Sequence, residues 1–231
     1  MRLAIISDIH GNLEALQAIT EPRDELWVLG DLVNYGPNPS EVVDFVRRNA
    51  SVVVRCNHDH AIGFGVDPQC PAPFREMAQA MQTYSESVLS DEQKAFLREL
   101  PLTADRTVEG RRFLLCHAVP SDPLYRYCPP ESPAWAVEAS RVDADVILVG
   151  HTHLPFQATL GGRQVANSGS VGQPKHGFPQ ACYAVWEDGR FLLKSQPYDT
   201  TETVRKVLAL PISEPIANQL ADVLTRGASP S

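Results

Sequence analysis

The chain has 231 residues, 43% of them hydrophobic, and a formal net charge of −8. That length buries a substantial core, and the acidic balance with scattered basic residues argues against duplex DNA, RNA or another polyanion as partner. Five cysteines without a C-x-x-C pair argue against a disulfide framework or a thiolate zinc cluster, no apolar run reaches bilayer length, and no leader precedes the first strand, so a cytoplasmic protein with no membrane partner is expected.

A short apolar strand at about 2–7 ends in Ser7-Asp8-Ile9-His10-Gly11-Asn12 and hands over to an amphipathic helix carrying Leu13, Leu16, Ala18 and Ile19. Alternate side chains of a strand share one face, so Asp8 and His10 point the same way from its carboxyl end. A second apolar run, 25–29, stops at Gly30-Asp31. Pro37-Asn38-Pro39 then predicts a turn, with Ser40 as the cap of a helix through Val46. A third run, 51–54, stops at Arg55-Cys56-Asn57-His58-Asp59. This β-α-β-α-β order predicts a parallel, buried sheet.

The segment 61–73 is punctuated by Gly and Pro and reads as loop. Residues 71–100 have helical periodicity, parted at Ser90, where Ser90-Asp91-Glu92-Gln93 has the spacing of a capping box. The second half is richer in strands: 111–116 ending at His117, and 145–149 ending at Gly150-His151-Thr152-His153. Short strands at about 155–160, 163–166, 181–187 and 190–197 are joined by Gly161-Gly162 and Asp188-Gly189, both good hairpin turns. Helices at 201–210 and 216–224 close the pattern. The first turn lacks G-x-G-x-x-G, so a dinucleotide fold is not indicated. The expected class is α/β, two sheets packed face to face with helices outside. One domain over 1–224 is expected, with 61–110 as a helical insertion, either a partial lid or an ordinary outer-layer pair, and 225–231 as a flexible tail.

Five strand ends carry candidate ligands: Asp8 and His10, Asp31, Asn57 and His58, His117, and His151 and His153. Such ends converge outside the carboxyl edge of an open α/β sheet. Five of the seven histidines directly follow an apolar run, whereas histidines placed for packing or solvation alone scatter over helices and surfaces. Carboxylates, imidazoles and one amide oxygen suit Mn²⁺, Fe, Zn²⁺ or Ni²⁺ with five or six ligands, manganese first. The set exceeds what one ion takes, so two divalent ions sharing a carboxylate are expected.

In order and character, Asp8-x-His10, Gly30-Asp31, Asn57-His58-Asp59, His117 and Gly150-His151-Thr152-His153 resemble the signature of calcineurin-like metallophosphoesterases, over residues 1–175. The stretches 30–37 and 167–174 resemble its small bacterial and archaeal YfcE-like, or diadenosine-tetraphosphatase-like, branch. The resemblance implies a four-layer αββα sandwich. It also implies that Asp8, His10 and His153 hold one ion, that Asn57, His117 and His151 hold the other, and that Asp31 bridges them. A metal-bridging hydroxide would attack phosphorus in line, with His58 as general acid and Asp59 fixing its tautomer. Arg55 would contact phosphate, its alternative being a strand- or helix-pairing charge. Two positions depart from the usual pattern. Cys56 stands in place of Gly, and Asn167-Ser168-Gly169-Ser170 in place of Asn-Pro-Gly-Ser, a change expected to loosen that loop.

Asn34 and Tyr35 follow the bridging Asp31 and are expected at the rim. Tyr125, Arg126 and Tyr127 either stack on a base and grip a phosphate, or form a packed loop with a snorkelling arginine. The implied partner is a small phosphoester or nucleotide, with phosphodiester hydrolysis first. The alternatives are a phosphomonoesterase such as a nucleotidase or protein phosphatase, a dinucleoside polyphosphate hydrolase, or a non-catalytic scaffold on the same fold. Nothing in the sequence sets an oligomeric state.

Overall fold

In the computed structural model, which describes residues 1–228, strand β1 (Leu3–Ile6) is buried on both faces. Leu3 and Ile5 enter the core between two sheets, while Ala4 and Ile6 enter the core beneath an outer helical layer. A strand sandwiched in this way needs a continuous apolar run rather than an alternating one. β1 pairs in parallel with β2 (Glu25–Val28), which pairs in parallel with β3 (Val52–Val53). The second five-stranded sheet is built on β4 (Thr103–Val108), β5 (Arg111–Cys116), β6 (Val146–Val149), β7 (Phe156–Leu160) and β8 (Arg163–Asn167), in the order β4-β5-β6-β8-β7. Its β5, β6 and β8 run parallel. The hairpin β9 (Gln180–Glu187) and β10 (Arg190–Pro197) returns to the first sheet and pairs antiparallel with β1, giving β10-β9-β1-β2-β3.

Between the sheets Trp27, Phe113 and Trp186 meet edge to face, with ring centroids 5.4 and 5.1 Å apart. These rings hold the two sheets in register, and truncating Phe113 to alanine is expected to cost about 3–5 kcal/mol. Outside the first sheet lie α1 (Leu13–Ala18), α2 (Pro39–Asn49) and α5 (Asp91–Glu99). Outside the second lies α6 (Ala134–Ser140), with Trp135 and Ala139 on Ile147 and Val149. α4 (Ala72–Val88) packs with α7 (Thr201–Leu208) and α8 (Glu214–Arg226) around a separate apolar cluster. The result is the expected αββα sandwich of two mixed sheets. The capping box at Ser90 and Gln93 is present, and it starts α5.

Several boundaries differ from the sequence reading. The segment after the third strand is helical from Asn57, as α3 (Asn57–Phe64), so the loop begins only at Gly65. The cap of α3 is the Cys56 thiol, which accepts from the Asp59 amide at 3.1 Å while Asp59 Oδ2 accepts from the Cys56 amide at 3.4 Å. Cys56 itself sits at φ −103°, ordinary extended backbone, so a side chain there is accommodated without strain. α2 begins at Pro39 after Asn38, not at Ser40, because the proline ring is preorganised for a first helical position. β4 and α6 lie where the sequence reading placed no element. α8 extends through Arg226, so Thr225 and Arg226, expected in the tail, are helical; residues 229–231 of that expectation lie outside the described residues.

Candidate metal centre

The carboxyl ends of β1, β2, β3, β5 and β6 bring Asp8, His10, Asp31, Asn57, His117, His151 and His153 together at one edge of the sandwich. All are buried except His151, which is partly so. Asp8, His10, Asp31, Asn34, Tyr35, His151 and His153 have φ between 47° and 66°, a left-handed conformation that side chains other than glycine rarely adopt. Each such residue costs on the order of 1–3 kcal/mol and persists only where its surroundings dictate it. Here the turns fix one another: the Asp8 amide donates to Gly30 O at 3.0 Å, His10 to Asp31 O at 2.8 Å, and His151 to Asp8 Oδ2 at 3.2 Å. The strained turns aim the side chains of several loops into one volume.

Within that volume the ring nitrogens are arranged as ligands. His10, His117 and His153 each direct Nδ1 at a backbone carbonyl: Val33 at 3.1 Å, Leu29 at 2.8 Å and Gln173 at 2.6 Å. Donation from Nδ1 leaves a lone pair on each Nε2. Those lone pairs face one another or an oxygen. His10 Nε2 is 3.2 Å from His153 Nε2, and His117 Nε2 is 3.1 Å from His151 Nδ1. Burial holds the pKa of all four imidazoles below the ordinary histidine value, that of His151 at about 4, so the rings are neutral. His10 and His153, each with its Nδ1 donating to a carbonyl, present two neutral acceptors to each other across 3.2 Å, which repel unless a cation lies between them.

One oxygen belongs to both groups. Asp31 Oδ2 lies 3.3 Å from His10 Nε2 and 3.4 Å from His117 Nε2. On one side of it Asp8 completes the cluster, its Oδ1 3.2 Å from His153 Nε2. On the other side stands Asn57, whose Nδ2 donates to Pro68 O at 2.9 Å and whose buried Oδ1 has no hydrogen-bond partner. Asp8 Oδ1 and Asp31 Oδ1 are likewise buried without a hydrogen-bond partner. Burial pushes both carboxyl groups up from their ordinary range, and for Asp31 the neighbouring Asp8 and Asp59 add to it. Unpartnered carboxylate and amide oxygens beside neutral imidazoles form a donor set that divalent ions satisfy. The residues present fit such ions.

A family model described as the calcineurin-like phosphoesterase superfamily domain matches residues 1–188. The chain belongs to this superfamily. A metallophosphoesterase from Sphaerobacter thermophilus is 29% identical in its crystal structure, with a TM-score of 0.81 over 96% of this chain and 98% of that one. Phosphodiesterase YfcE of Escherichia coli is 28% identical over 81% of this chain and 88% of its own. A symmetrical bis(5'-nucleosyl)-tetraphosphatase of Paracidovorax citrulli is 31% identical over 51% of this chain and 44% of its own, so less than half of that longer protein is spanned. Calcineurin-like phosphoesterases are metal-dependent hydrolases of phosphoester bonds, and this chain is one.

Beside the centre of this phosphoesterase, His58 is buried and faces Asn34, whose Nδ2 donates to His58 Nδ1 at 2.7 Å. The ring proton therefore sits on Nε2, which lies 3.6 Å from the Cys70 sulfur. Burial, with His151 and Lys175 adding to it, lowers the His58 pKa to about 3. Asp59 does not touch His58, contrary to the role implied by resemblance. As the third residue of α3 it turns back, its Oδ2 and Oδ1 accepting from the amides of Asp31 and Leu32 at 3.1 and 3.0 Å. It braces the turn that carries Asp31.

Arg55 is also turned elsewhere. Its guanidinium stacks on Phe64 at 5.0 Å and donates to Arg98 O at 2.5 Å, because α3 and α5 bring both groups to its outer side. Arg126 donates to the buried Glu138 carboxylate at 2.8 Å and anchors its loop there instead of facing the centre. The 167–170 loop is pinned, not loosened: Gly169 donates to Asn167 Oδ1 at 2.8 Å, and Ser170 Oγ to Asp8 O at 2.7 Å.

A cavity of about 290 Å³ opens from the centre. Tyr35, Phe74, Tyr125 and Tyr127 supply its rings, and the first turn of α4 with the loop before it forms one wall. Tyr35 lies 5.0 Å from the His58 ring and Tyr127 6.0 Å from the His151 ring. Asn34 sits beneath, on His58, and does not line the cavity. Gln69 and Lys175 add polar groups to the lining, Lys175 from the loop after β8. Sequence reasoning missed Lys175, although it directly follows the 167–174 block. That block ends a further strand at this same edge.

Proposed function

We propose that the chain hydrolyses small phosphodiesters, with manganese as the preferred ion in both positions. In this reading Asp8, His10 and His153 hold one ion, Asn57, His117 and His151 hold the other, and Asp31 is shared. The observation that carries it is the single oxygen, Asp31 Oδ2, within 3.4 Å of an imidazole nitrogen from each group. Bound there, the ions supply an acidified water as nucleophile and positive charge for the phosphoryl oxygens. The chain's own residues do the rest. His58 Nε2–H donates a hydrogen bond to the departing oxygen, Asn34 keeps that hydrogen on Nε2, and Asp59 braces the Asp31 turn; the proton that the oxygen finally takes up comes from water.

The diester preference rests on the ring-lined cavity, which has room and apolar surface for an organic group that a monoester lacks, and on similarity to a protein named as a phosphodiesterase. The reading also places the protein in the cytoplasm. All five cysteines are free and buried, as a reducing compartment leaves them, and no helix of the described residues is long and apolar enough to cross a membrane.

The test is hydrolysis of bis(p-nitrophenyl) phosphate and p-nitrophenyl phosphate by chelator-stripped protein refilled with Mn²⁺. The expected result is Mn²⁺-dependent turnover with the diester favoured, lost in Asn57→Ala and lowered by about 10²–10⁴ in His58→Ala. Monoester turnover alone would overturn the diester assignment.

A further inference from the structure

Among the described residues, Lys175 is the one lysine or arginine that lines the cavity at the metal centre. The two arginines that the sequence offered for phosphate are committed elsewhere, Arg55 to Phe64 and the Arg98 carbonyl, and Arg126 to Glu138. Lys175 has no carboxylate within ion-pair distance among the described residues, unlike Lys194 and Lys206, which pair with Glu21 and Glu14. Its Nζ stands 5.0 Å from the centroid of Phe74, which supports the stem from one side of the cavity. A half-buried ammonium group without a carboxylate partner is a costly arrangement unless an anion comes to it.

The loop that presents Lys175 is tied to the ligands just before that residue. The Gly172 amide donates to Asp8 O at 3.0 Å, the Gln173 amide to Ser170 Oγ at 2.8 Å, and Gln173 O accepts from His153. Gly172 approaches so closely that a Cβ there would lie 1.8 Å from the Ile9 carbonyl oxygen. Lys175 is therefore positioned by the turns that aim Asp8, His10 and His153. It lines the same cavity as Asp31, Asn57, His58, His151 and His153. Two divalent ions placed among those residues repel an ammonium group unless an anion is bound with them. The phosphoryl group of a substrate is such an anion.

Resting on the phosphoester reading above, the geometry points to Lys175 as the substrate-binding cation of this site, donating to a non-bridging oxygen of the phosphoryl group held at the metal centre. It takes the place that resemblance assigned to Arg55. The competing role is that of a built-in counter-ion to Asp8 and Asp31, which would make it part of the metal site's own structure. The two roles differ in sign. A phosphate-binding lysine weakens phosphate and leaves metal uptake intact or tighter when removed; a counter-ion disturbs metal uptake and leaves phosphate affinity alone.

The experiment compares wild type, Lys175→Met and Lys175→Arg, each refilled with Mn²⁺. It reads metal stoichiometry by elemental analysis, competitive inhibition by inorganic phosphate, and KM and kcat on an aryl diester. For Lys175→Met the expected result is two ions per chain, an inhibition constant for phosphate raised about tenfold to a hundredfold, and a rise in KM larger than the fall in kcat. Lys175→Arg recovers part of the phosphate affinity. A methionine variant with phosphate inhibition within twofold of wild type, or one that fails to retain its ions, overturns the assignment. Wild-type protein that loads two ions yet neither turns over an ester nor responds to phosphate contradicts the underlying phosphoester reading instead.

Discussion

Asn34 Nδ2 and His58 Nδ1 lie 2.7 Å apart, both groups buried beneath the cavity that opens from the metal centre. The contact spends the Nδ1 lone pair and so places the ring proton on Nε2, the nitrogen available to a leaving oxygen. Removing the amide frees the ring to turn and to exchange tautomers without touching any metal ligand. Asn34→Ala is expected to lower kcat about tenfold to a hundredfold while KM and metal content stay close to wild type. Steady-state kinetics with parallel metal analysis checks this, and an unchanged kcat would remove Asn34 from the mechanism.

Gly172 meets the backbone between the first two candidate ligands. A methyl group there would sit 1.8 Å from Ile9 O, and Ile9 lies between Asp8 and His10. Gly172→Ala is expected to cost about 1–3 kcal/mol or more, because the obstacle is main chain and cannot rotate away. The same displacement opens the turn, so weaker Mn²⁺ binding accompanies the loss. Chemical denaturation of the apo protein and a metal titration measure the two effects separately.

Far from the centre, Glu21 gathers Lys194, Arg2 and the Tyr183 hydroxyl, with Lys194 at 2.8 Å and Tyr183 at 2.8 Å. Desolvation by itself raises its pKa, but the three donors outweigh that and hold it at about 2 against an ordinary 4.5. A carboxyl group depressed in the folded state binds fewer protons than in the unfolded chain between those values. Its contribution is complete above about pH 4.5 and disappears as the pH falls toward 2. Glu21→Gln is therefore expected to lower Tm at neutral pH, with the gap from wild type closing through that acid window. A gap that stays constant with pH would contradict the ion cluster's role.

Much of the centre was legible in the sequence because each donor stands where an apolar strand run breaks abruptly. Asp8 and His10, Asp31, Asn57, His117, His151 and His153 follow that rule, and strand topology alone carries them to one edge. The errors arose where direction depends on a partner distant in sequence. Arg55 points outward because α5 places the Arg98 carbonyl within its reach. Asp59 faces Asp31 and not His58 because α3 starts at Asn57, which makes Asp59 the residue that closes the cap. That helix start is hard to read, since a cysteine thiol fills the place where serine, threonine, aspartate or asparagine is usual. Lys175 carries no strand-end histidine to mark it, and only the parallel pairing of β8 with β6 brings its loop to the site.

The measurement closest to the central claim is the equilibrium binding stoichiometry of Mn²⁺ to wild-type protein and to Asp31→Asn, by dialysis followed by elemental analysis. Asp31 Oδ2 stands next to both imidazole groups, so the wild-type chain should take up two ions and the variant should lose affinity in both positions together. A wild-type chain that saturates at one ion, or an Asp31→Asn variant that still holds two as tightly, would contradict a shared carboxylate at the heart of this phosphoesterase.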